Sequence, residues 1–396
     1  MTNKIIDYLQ DKKICILGYG AEGQSSHAFL KRHLPDKDVV IRDIKTDGEG
    51  YLDNLGEFDV ILKSPGISFK FVDISEFEDK LSSQVELFLR FAECEIVGVT
   101  GTKGKSTVVS LLYAVLQANG VPSLLLGNIG APIFDHLDEI SADTVVVAEL
   151  SSHQLEFVQH SPRISALTNI FPEHLDHYKS FEHYAAAKDN IWKFQKEDGI
   201  FLDGRLPKYS EGLDELDAKL PKRKVLGRHN LVNIKIVMEL AEILGLDEEK
   251  CLTAIEEFAG LPHRMEHFAD IDGVAYYDDS IATIPQAAIG CVTALGDVET
   301  LILGGMDRGV SQEPLIEFLL EGTIKNVICL PETGRYIAQK VQRAHFVETL
   351  EEAVAIAKEV TERGKCVLSP AAASYGYFKN FQDRGNKFKE LVMEKP

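Results

Sequence analysis

Gly98-Val-Thr-Gly-Thr-Lys-Gly-Lys105-Ser106-Thr107 lies between the apolar pair Ile96-Val97 and the run Val108-Val-Ser-Leu-Leu-Tyr-Ala-Val-Leu116. An apolar strand, a glycine-rich turn and an apolar helix in that order form an anion cradle. Backbone N–H groups converge on a phosphate, the helix dipole favours negative charge, and a lysine reaches the terminal phosphates. Here Gly101, Thr102, Lys103 and Gly104 make the turn, Lys105 is the reaching lysine, and Thr107 belongs to the helix N-terminus. Ser106, the hydroxyl after that lysine, is the expected Mg²⁺ ligand. The spacing is not the strict pattern, because Val stands at 99 and glycines at 98, 101 and 104. A Gly-Lys-Ser framed by these glycines still argues for nucleotide phosphate over a tight turn with a solvated lysine pair.

Outward from this turn, the chain alternates strand-like and helix-like runs, which predicts α/β architecture with parallel sheets. Before it come Lys13-Ile-Cys-Ile-Leu17, Gly18-Tyr-Gly20-Ala-Glu-Gly23, Val39-Val-Ile-Arg42 with Asp43, and Val60-Ile-Leu-Lys63 ending at Ser64-Pro-Gly66. That is a Rossmann-like N-terminal sheet. Its Gly-x-Gly-x-x-Gly and later acid match a dinucleotide signature, but the same turn serves any ligand whose phosphates sit at a helix N-terminus, a UDP-sugar included. After the turn come Leu124-Leu-Leu-Gly-Asn128-Ile-Gly130, Thr144-Val-Val-Val-Ala-Glu149 and Ala166-Leu-Thr-Asn-Ile-Phe171, a central P-loop ATPase sheet. Leu231–Leu244 and Cys251–Phe258 read as amphipathic helices. From Gly260 onward, Val274–Tyr277, Thr300–Leu303, Val327–Leu330 and Cys366–Leu368 predict a C-terminal doubly wound sheet. The expected domains are residues 1–93, 94–259 and 260–396.

The 396 residues exceed one ordinary domain, and 45% hydrophobic content supports sizeable cores. A net charge of -20 disfavours nucleic acid and anionic lipid, which bind through basic residues. The six cysteines are scattered without metal-ligand spacing and read as buried free thiols. No apolar run approaches spanning length and the N-terminus lacks a signal-peptide core, so a cytoplasmic protein without membrane insertion is expected.

Polar residues cluster after the strands. Glu149 ends an apolar run opposite the P-loop, where a carboxylate can hold a metal on the nucleotide. His174 lies in Pro172-Glu-His-Leu-Asp-His177, with Asp176 and His177 read as surface or supporting groups. Lys188, in Tyr184-Ala-Ala-Ala-Lys188, reads by itself as a solvated helix lysine. His263-Arg264 follows a Gly-Leu-Pro turn, and Asp279-Ser280-Ile-Ala-Thr283 follows a strand. Gly304-Gly-Met-Asp-Arg308-Gly309 frames an arginine suited to a carboxylate. Ser369-Pro-Ala-Ala-Ala-Ser374 leads to Lys379-Asn-Phe381.

Taken together, Gly-Thr-Lys-Gly-Lys-Ser-Thr, Asn128-Ile-Gly130, Glu149-Leu-Ser-Ser-His-Gln-Leu-Glu156, Glu173-His174-Leu-Asp, Ala-Ala-Lys188, His229-Asn230, Gly-Leu-Pro-His263-Arg264 and Ser-Pro-Ala-Ala-Ala-Ser374 resemble the Mur ligases, and within them the glutamate-adding type. The resemblance runs from Gly18 to Phe388. It implies an N-terminal UDP-binding domain, a central ATPase domain and a C-terminal amino-acid-binding domain. It implies that D-glutamate is joined to UDP-N-acetylmuramoyl-L-alanine, at the expense of ATP, through an acyl phosphate in peptidoglycan precursor synthesis by a monomer. By the same resemblance, Lys105 contacts the ATP phosphates, Ser106 and Glu149 hold one Mg²⁺, and His174 holds a second with Lys188 as a carbamylated lysine. Asn230 and Asn233 face the adenine side, with Arg264 and Asp279 toward the nucleotide. Gly18, Gly20, Asp43, Ser64, Gly66 and Asn128 serve the UDP substrate. Thr283, Arg308, Ser374 and Phe381 surround the glutamate.

Two departures stand out. Ile281 replaces the lysine of the family's Asp-Ser-Lys-Ala-Thr, which opens an L-glutamate-adding variant as an alternative. Arg308 stands where many relatives carry lysine. The stretch from Lys188 to Asn230 is also short, implying a trimmed central domain. A folylpolyglutamate synthase shares the P-loop logic but lacks a UDP-binding domain. A nucleotide-gated UDP-sugar-binding protein is the non-enzymatic alternative, against which the intact Lys105, Glu149, His174 and Lys188 set weighs.

Overall fold

The computed structural model describes residues 1–129, 131–322 and 324–394, so Gly130 of the Asn128-Ile-Gly130 motif lies outside the described residues. Three sheets follow one another along the chain. The first holds β1 (Ile14–Leu17), β2 (Val39–Arg42), β3 (Val60–Lys63) and β4 (Leu81–Ser82) in the order β2-β1-β3-β4. The second holds β5 (Glu95–Thr100), β6 (Ser123–Gly127), β7 (Val145–Glu149), β8 (Ile164–Leu167) and β9 (Ile200–Asp203) in the order β6-β7-β5-β8-β9. All pairings in both are parallel. Parallel sheets are covered on both faces, which is why β1, β3 and β8 are apolar or buried at every position rather than alternating.

The third sheet comprises β10 (Glu266–Ile271), β11 (Val274–Asp278), β12 (Val298–Gly304), β13 (Asn326–Leu330), β14 (Ala344–Phe346) and β15 (Gly364–Leu368), ordered β10-β11-β15-β12-β13-β14. It is parallel except for the antiparallel edge pair β10–β11. The alternating sequence of β11, buried at Val274, Tyr276 and Asp278, fits a strand next to that edge.

The chain forms two compact units, one of Met1–Arg223 with Arg228–Phe258, the other of Lys224–Gly227 with the residues from Ala259 on. The first unit contains two sheets because they share a core. Ile14, Ile16, Val60 and Leu62 of the first sheet sit in one cluster with Ile96, Leu126, Val146 and Ala148 of the second. On its other face the second sheet packs Val97, Val99 and Val147 against the helices Lys105–Ala118, Arg228–Ile243 and Glu248–Glu257. Each such fully buried Val or Leu contributes about 1.5–3 kcal/mol of transfer free energy.

The expected helices and strands occur, with shifted ends. One difference is informative. The apolar run Ala166–Phe171 stops being a strand at Leu167. Thr168 and Asn169 instead turn their side chains onto the glycine-rich turn, where Thr168 Oγ1 donates to the Lys103 carbonyl at 2.6 Å and Asn169 Oδ1 accepts from Lys103 N–H at 2.9 Å. The strands β4, β9, β10 and β14 have no counterpart in the sequence reading.

Candidate active site

The glycine-rich turn joins the end of β5 to the helix Lys105–Ala118. Two of its glycines are required by space as well as by conformation. Gly101 has φ +146° and a Cβ there would lie 1.9 Å from Thr168 Oγ1; Gly104 has φ +88° and a Cβ would lie 2.6 Å from Asn233 Oδ1. Asn233 in turn donates to Asn230 Oδ1 at 3.0 Å, and both amides are buried. The expected adenine-side pair therefore backs the turn and fixes its shape. Lys105 Nζ donates to the Gly101 and Thr102 carbonyls at 2.9 and 3.1 Å, lying along the turn. Thr102 Oγ1 is held between Tyr184 Oη at 2.8 Å and Phe171 N–H at 2.9 Å. Ser106 is half-buried and Thr107 buried at the start of the helix.

Glu149 closes β7 beside β5, with Glu149 in register with Val99. It is 1% exposed. Its Oε1 accepts from Asn128 Nδ2 at 2.8 Å, whereas its Oε2 has no hydrogen-bond partner among the described residues. A buried carboxylate oxygen left in that state is costly unless a cation meets it. That unpartnered oxygen fits a divalent ion at Glu149.

Lys188 corrects the reading of a solvated helix lysine, for it is 2% exposed. The helix Phe181–Lys193 carries Lys188 inward, where its Nζ donates to the Gly101 carbonyl at 2.7 Å and stands 4.9 Å above the Tyr184 ring. Burial, followed by the nearby Lys105 charge, pulls its pKa down to about 7. His174 is half-exposed, adopts φ +56°, and is lowered mainly by burial. Its ring lies 4.7 Å from that of His153, which burial and the His177 and His174 rings lower to about 3. His177, read from sequence as surface or supporting, is buried, while Asp176 is exposed.

Of the expected UDP-substrate residues, Gly18, Gly20, Asp43, Ser64 and Gly66 follow the carboxyl ends of β1, β2 and β3, whereas Asn128 follows β6 of the second sheet. Ser64 Oγ donates to the Gly18 carbonyl at 2.7 Å, tying the two turns together. Asp43 accepts from Tyr19 N–H at 2.6 Å and Lys45 N–H at 2.9 Å, bonds that hold its carboxyl below the usual range. Gly20 and Gly66 are exposed beside them, and exposed Asn128 leads through its amide to Glu149.

In the second unit, Asp279 is buried at the end of β11, accepting from Ser369 Oγ at 2.6 Å and Met265 N–H at 3.1 Å. Burial raises it to about 6. Sequence reasoning missed Arg384. This 1%-exposed guanidinium donates to the Ser280 carbonyl at 2.8 Å, to Ser280 Oγ at 2.9 Å and to the Ala372 carbonyl, clamping two of the expected turns. No pattern in the sequence singles it out; Gly385 beside it is required by space, since a Cβ there would strike His263 and Asp278. A cavity of about 220 Å³ opens beside Gly304, Gly305, Phe378 and Arg384. Ser374 lines it; Thr283, Arg308 and Phe381 do not. Phe381 instead packs its ring 6.0 Å from His263, and Arg308 is exposed.

Residues 99–219 match the Mur ligase middle domain. Over 455 aligned residues, covering 98% of both chains, the protein is 32% identical to a UDP-N-acetylmuramoylalanine--D-glutamate ligase of Clostridium botulinum. A second such ligase, from Clostridium kluyveri, is 32% identical over 97% of each chain. Among solved structures, the UDP-N-acetylmuramate-alanine ligase MurC of Thermotoga maritima superimposes with a TM-score of 0.59 at 21% identity, over 96% of this chain and 98% of that one. That structural likeness bears on fold alone. The sequence match spans the whole P-loop, Glu149, His174 and Lys188 constellation, and the chain belongs to the Mur ligase family of ATP-dependent amide-bond ligases.

Proposed function

We propose that the protein joins D-glutamate to UDP-N-acetylmuramoyl-L-alanine, with ATP as the driving reagent, in the synthesis of peptidoglycan precursors. The observation that carries this reading is the convergence on one glycine-rich turn of Lys105, the unpartnered Glu149 oxygen and the buried Lys188. A carboxylate is a poor electrophile, so the alanyl carboxylate first takes the γ-phosphoryl group, forming an acyl phosphate and releasing ADP. The amine of glutamate then attacks the acyl carbon and phosphate leaves. Lys105 offsets the repulsion between the anionic nucleophile and the γ-phosphate. Ser106 and Glu149 are the groups for one Mg²⁺ and His174 with Lys188 for a second; bound there, the ions supply charge neutralisation on the phosphates.

A lysine amine is a metal ligand only when neutral or converted to an anion. Carbamylation by CO₂ does the latter, and it requires the neutral amine, which the buried setting of Lys188 favours. In this reading residues 1–93 hold the UDP substrate through the Gly18, Gly20, Asp43, Ser64 and Gly66 turns with Asn128. Residues 94–259 hold ATP. Residues 260–396 hold glutamate through Thr283, Arg308, Ser374 and Phe381. The protein acts as a cytoplasmic monomer; among the described residues no helix is long and apolar enough to cross a membrane.

Phosphate release from ATP with UDP-N-acetylmuramoyl-L-alanine tests the reading, comparing D-glutamate, L-glutamate and no amino acid. Product with D-glutamate alone is expected and makes Ile281 a tolerated substitution. A preference for L-glutamate would move the chain to a variant branch of the same chemistry. No release with either would overturn the proposal.

A further inference from the structure

The segment Glu173–Tyr178, which carries His174, is anchored from two sides. Toward the glycine-rich turn, Glu173 pairs with Lys103 at 2.7 Å. Toward the first sheet, Ser68 Oγ donates to the His177 carbonyl at 2.9 Å and Lys70 Nζ to the Leu175 carbonyl. Beneath these runs a buried ionic chain that the reaction, as described, does not use. Lys63 is the last residue of β3 and directly precedes the Ser64-Pro-Gly66 turn. Its ammonium stands 3.5 Å from Glu156 Oε2, and that same oxygen is 3.1 Å from His177 Nε2. The three side chains are 4%, 5% and 7% exposed. Lys63 also lies 5.5 Å from the Phe157 ring centroid and 5.9 Å from that of Phe69. From His177 the rings continue, to His153 at 4.2 Å and from His153 to His174 at 4.7 Å.

Removing a lysine and a carboxylate from water is expensive, and an apolar pair of the same volume is often equally stable or more so. An ion pair kept in such a place therefore calls for a role other than stability. We propose that Lys63, Glu156 and His177 are positioning residues that transmit the placement of the UDP-substrate turn to His174, so that a filled turn improves the metal site. The inference rests on the assignment of these two places to the UDP substrate and to a metal ion. None of the three is a catalytic residue, since each acts through another side chain.

The test uses the full chain, Mn²⁺ as the probe ion and a non-hydrolysable ATP analogue, with free Mn²⁺ followed by its paramagnetic resonance signal. In the wild type, adding UDP-N-acetylmuramoyl-L-alanine should tighten Mn²⁺ binding. Lys63→Met should abolish that response and weaken Mn²⁺ binding about tenfold, the low end for loss of a group that orients a ligand. Its melting temperature should fall, because Glu156 is left buried without its cation, and Lys63→Arg should restore part of the response. A response that persists in Lys63→Met, or one that Lys63→Arg does not restore at all, overturns the proposal. Should Lys63→Met not fold, Glu156→Gln keeps the volume and a bond to His177 and carries the same expectation; an unchanged response in it also overturns the proposal. A wild type that binds both ligands without any response removes the relay alone. One that binds neither removes the functional reading beneath it.

Discussion

Replacing Lys188 by methionine should make the protein more stable while destroying its activity. The amine is held down from 10.5 to about 7, first by burial and then by the Lys105 charge. A lysine whose folded pKa lies below its unfolded one weakens the fold at every pH beneath the unfolded value, because the unfolded chain binds the proton more tightly. The deficit is complete below the folded pKa and shrinks as pH rises toward the unfolded one. With these pKa values it amounts to about 4 kcal/mol at pH 7 and about 2 kcal/mol at pH 9. Methionine fills a similar volume without the charge. The hydrogen bond to the Gly101 carbonyl is lost, at about 1 kcal/mol, yet that carbonyl keeps its bond from Lys105 Nζ at 2.9 Å and is not orphaned. The net expectation is a gain of roughly 3 kcal/mol at pH 7, falling to about 1 kcal/mol at pH 9. Trp192, the sole tryptophan, lies on the same helix as Lys188 and reports on this unit during urea unfolding. The experiment needs chelator and CO₂-free buffer, so that the amine is neither ligating nor carbamylated. Ligase turnover in Lys188→Met should be lost at both pH values. A variant less stable than wild type at pH 7, or a stability gap equal at the two pH values, would refute the reasoning.

Two further outcomes are expected. Lys105→Ala should abolish phosphate release while UDP-N-acetylmuramoyl-L-alanine still binds by calorimetry, since the turns proposed for that substrate lie on the first sheet; near-normal turnover would count against the assignment. Asp279, raised to about 6 by burial, binds its proton more tightly in the folded chain than in the unfolded one. Stability from this group is therefore greatest below pH ~4 and falls by about 3 kcal/mol as pH rises through 6. The stability of Asp279→Asn relative to wild type should rise across that window and level off above it, measured by denaturant unfolding; a flat difference between pH 4 and 7 would contradict the buried, raised carboxyl.

What the sequence made legible was local. The glycine-rich turn, the strand ends at Glu149 and Asp43, and the helix after Gly104 each announce themselves within a dozen residues, because turn geometry and phosphate binding restrict neighbouring positions together. Lys188 was not legible from its own surroundings. Three alanines and a lysine on a helix say nothing about which face is covered, and here the lysine is drawn in by a carbonyl 87 positions earlier. The Lys63–Glu156–His177 chain was hidden for the same reason, its members coming from β3, a short helix end and a loop. Arg384 lies in a stretch the resemblance had already marked, yet only its contacts show that it holds the backbone of two turns rather than a ligand. The edge strands β10 and β14 escaped notice because neither buries a face of alternating apolar residues, and β14 has only three residues.

The core shared by the first two sheets constrains how such a ligase can be taken apart. Ile96, Leu126, Val146, Ala148 and Leu150 cover the apolar face that Ile14, Ile16, Val60 and Leu62 also line. Cut at residue 93, each piece would expose that seam to water, so the first sheet should melt in step with the second as one cooperative block. Grafting the first sheet from a relative would therefore need the seam residues of both sheets transplanted together. By contrast, the unit of Lys224–Gly227 with the residues from Ala259 on carries its own two cores and is the natural piece to exchange, provided Leu226, which packs on one of them, goes with it.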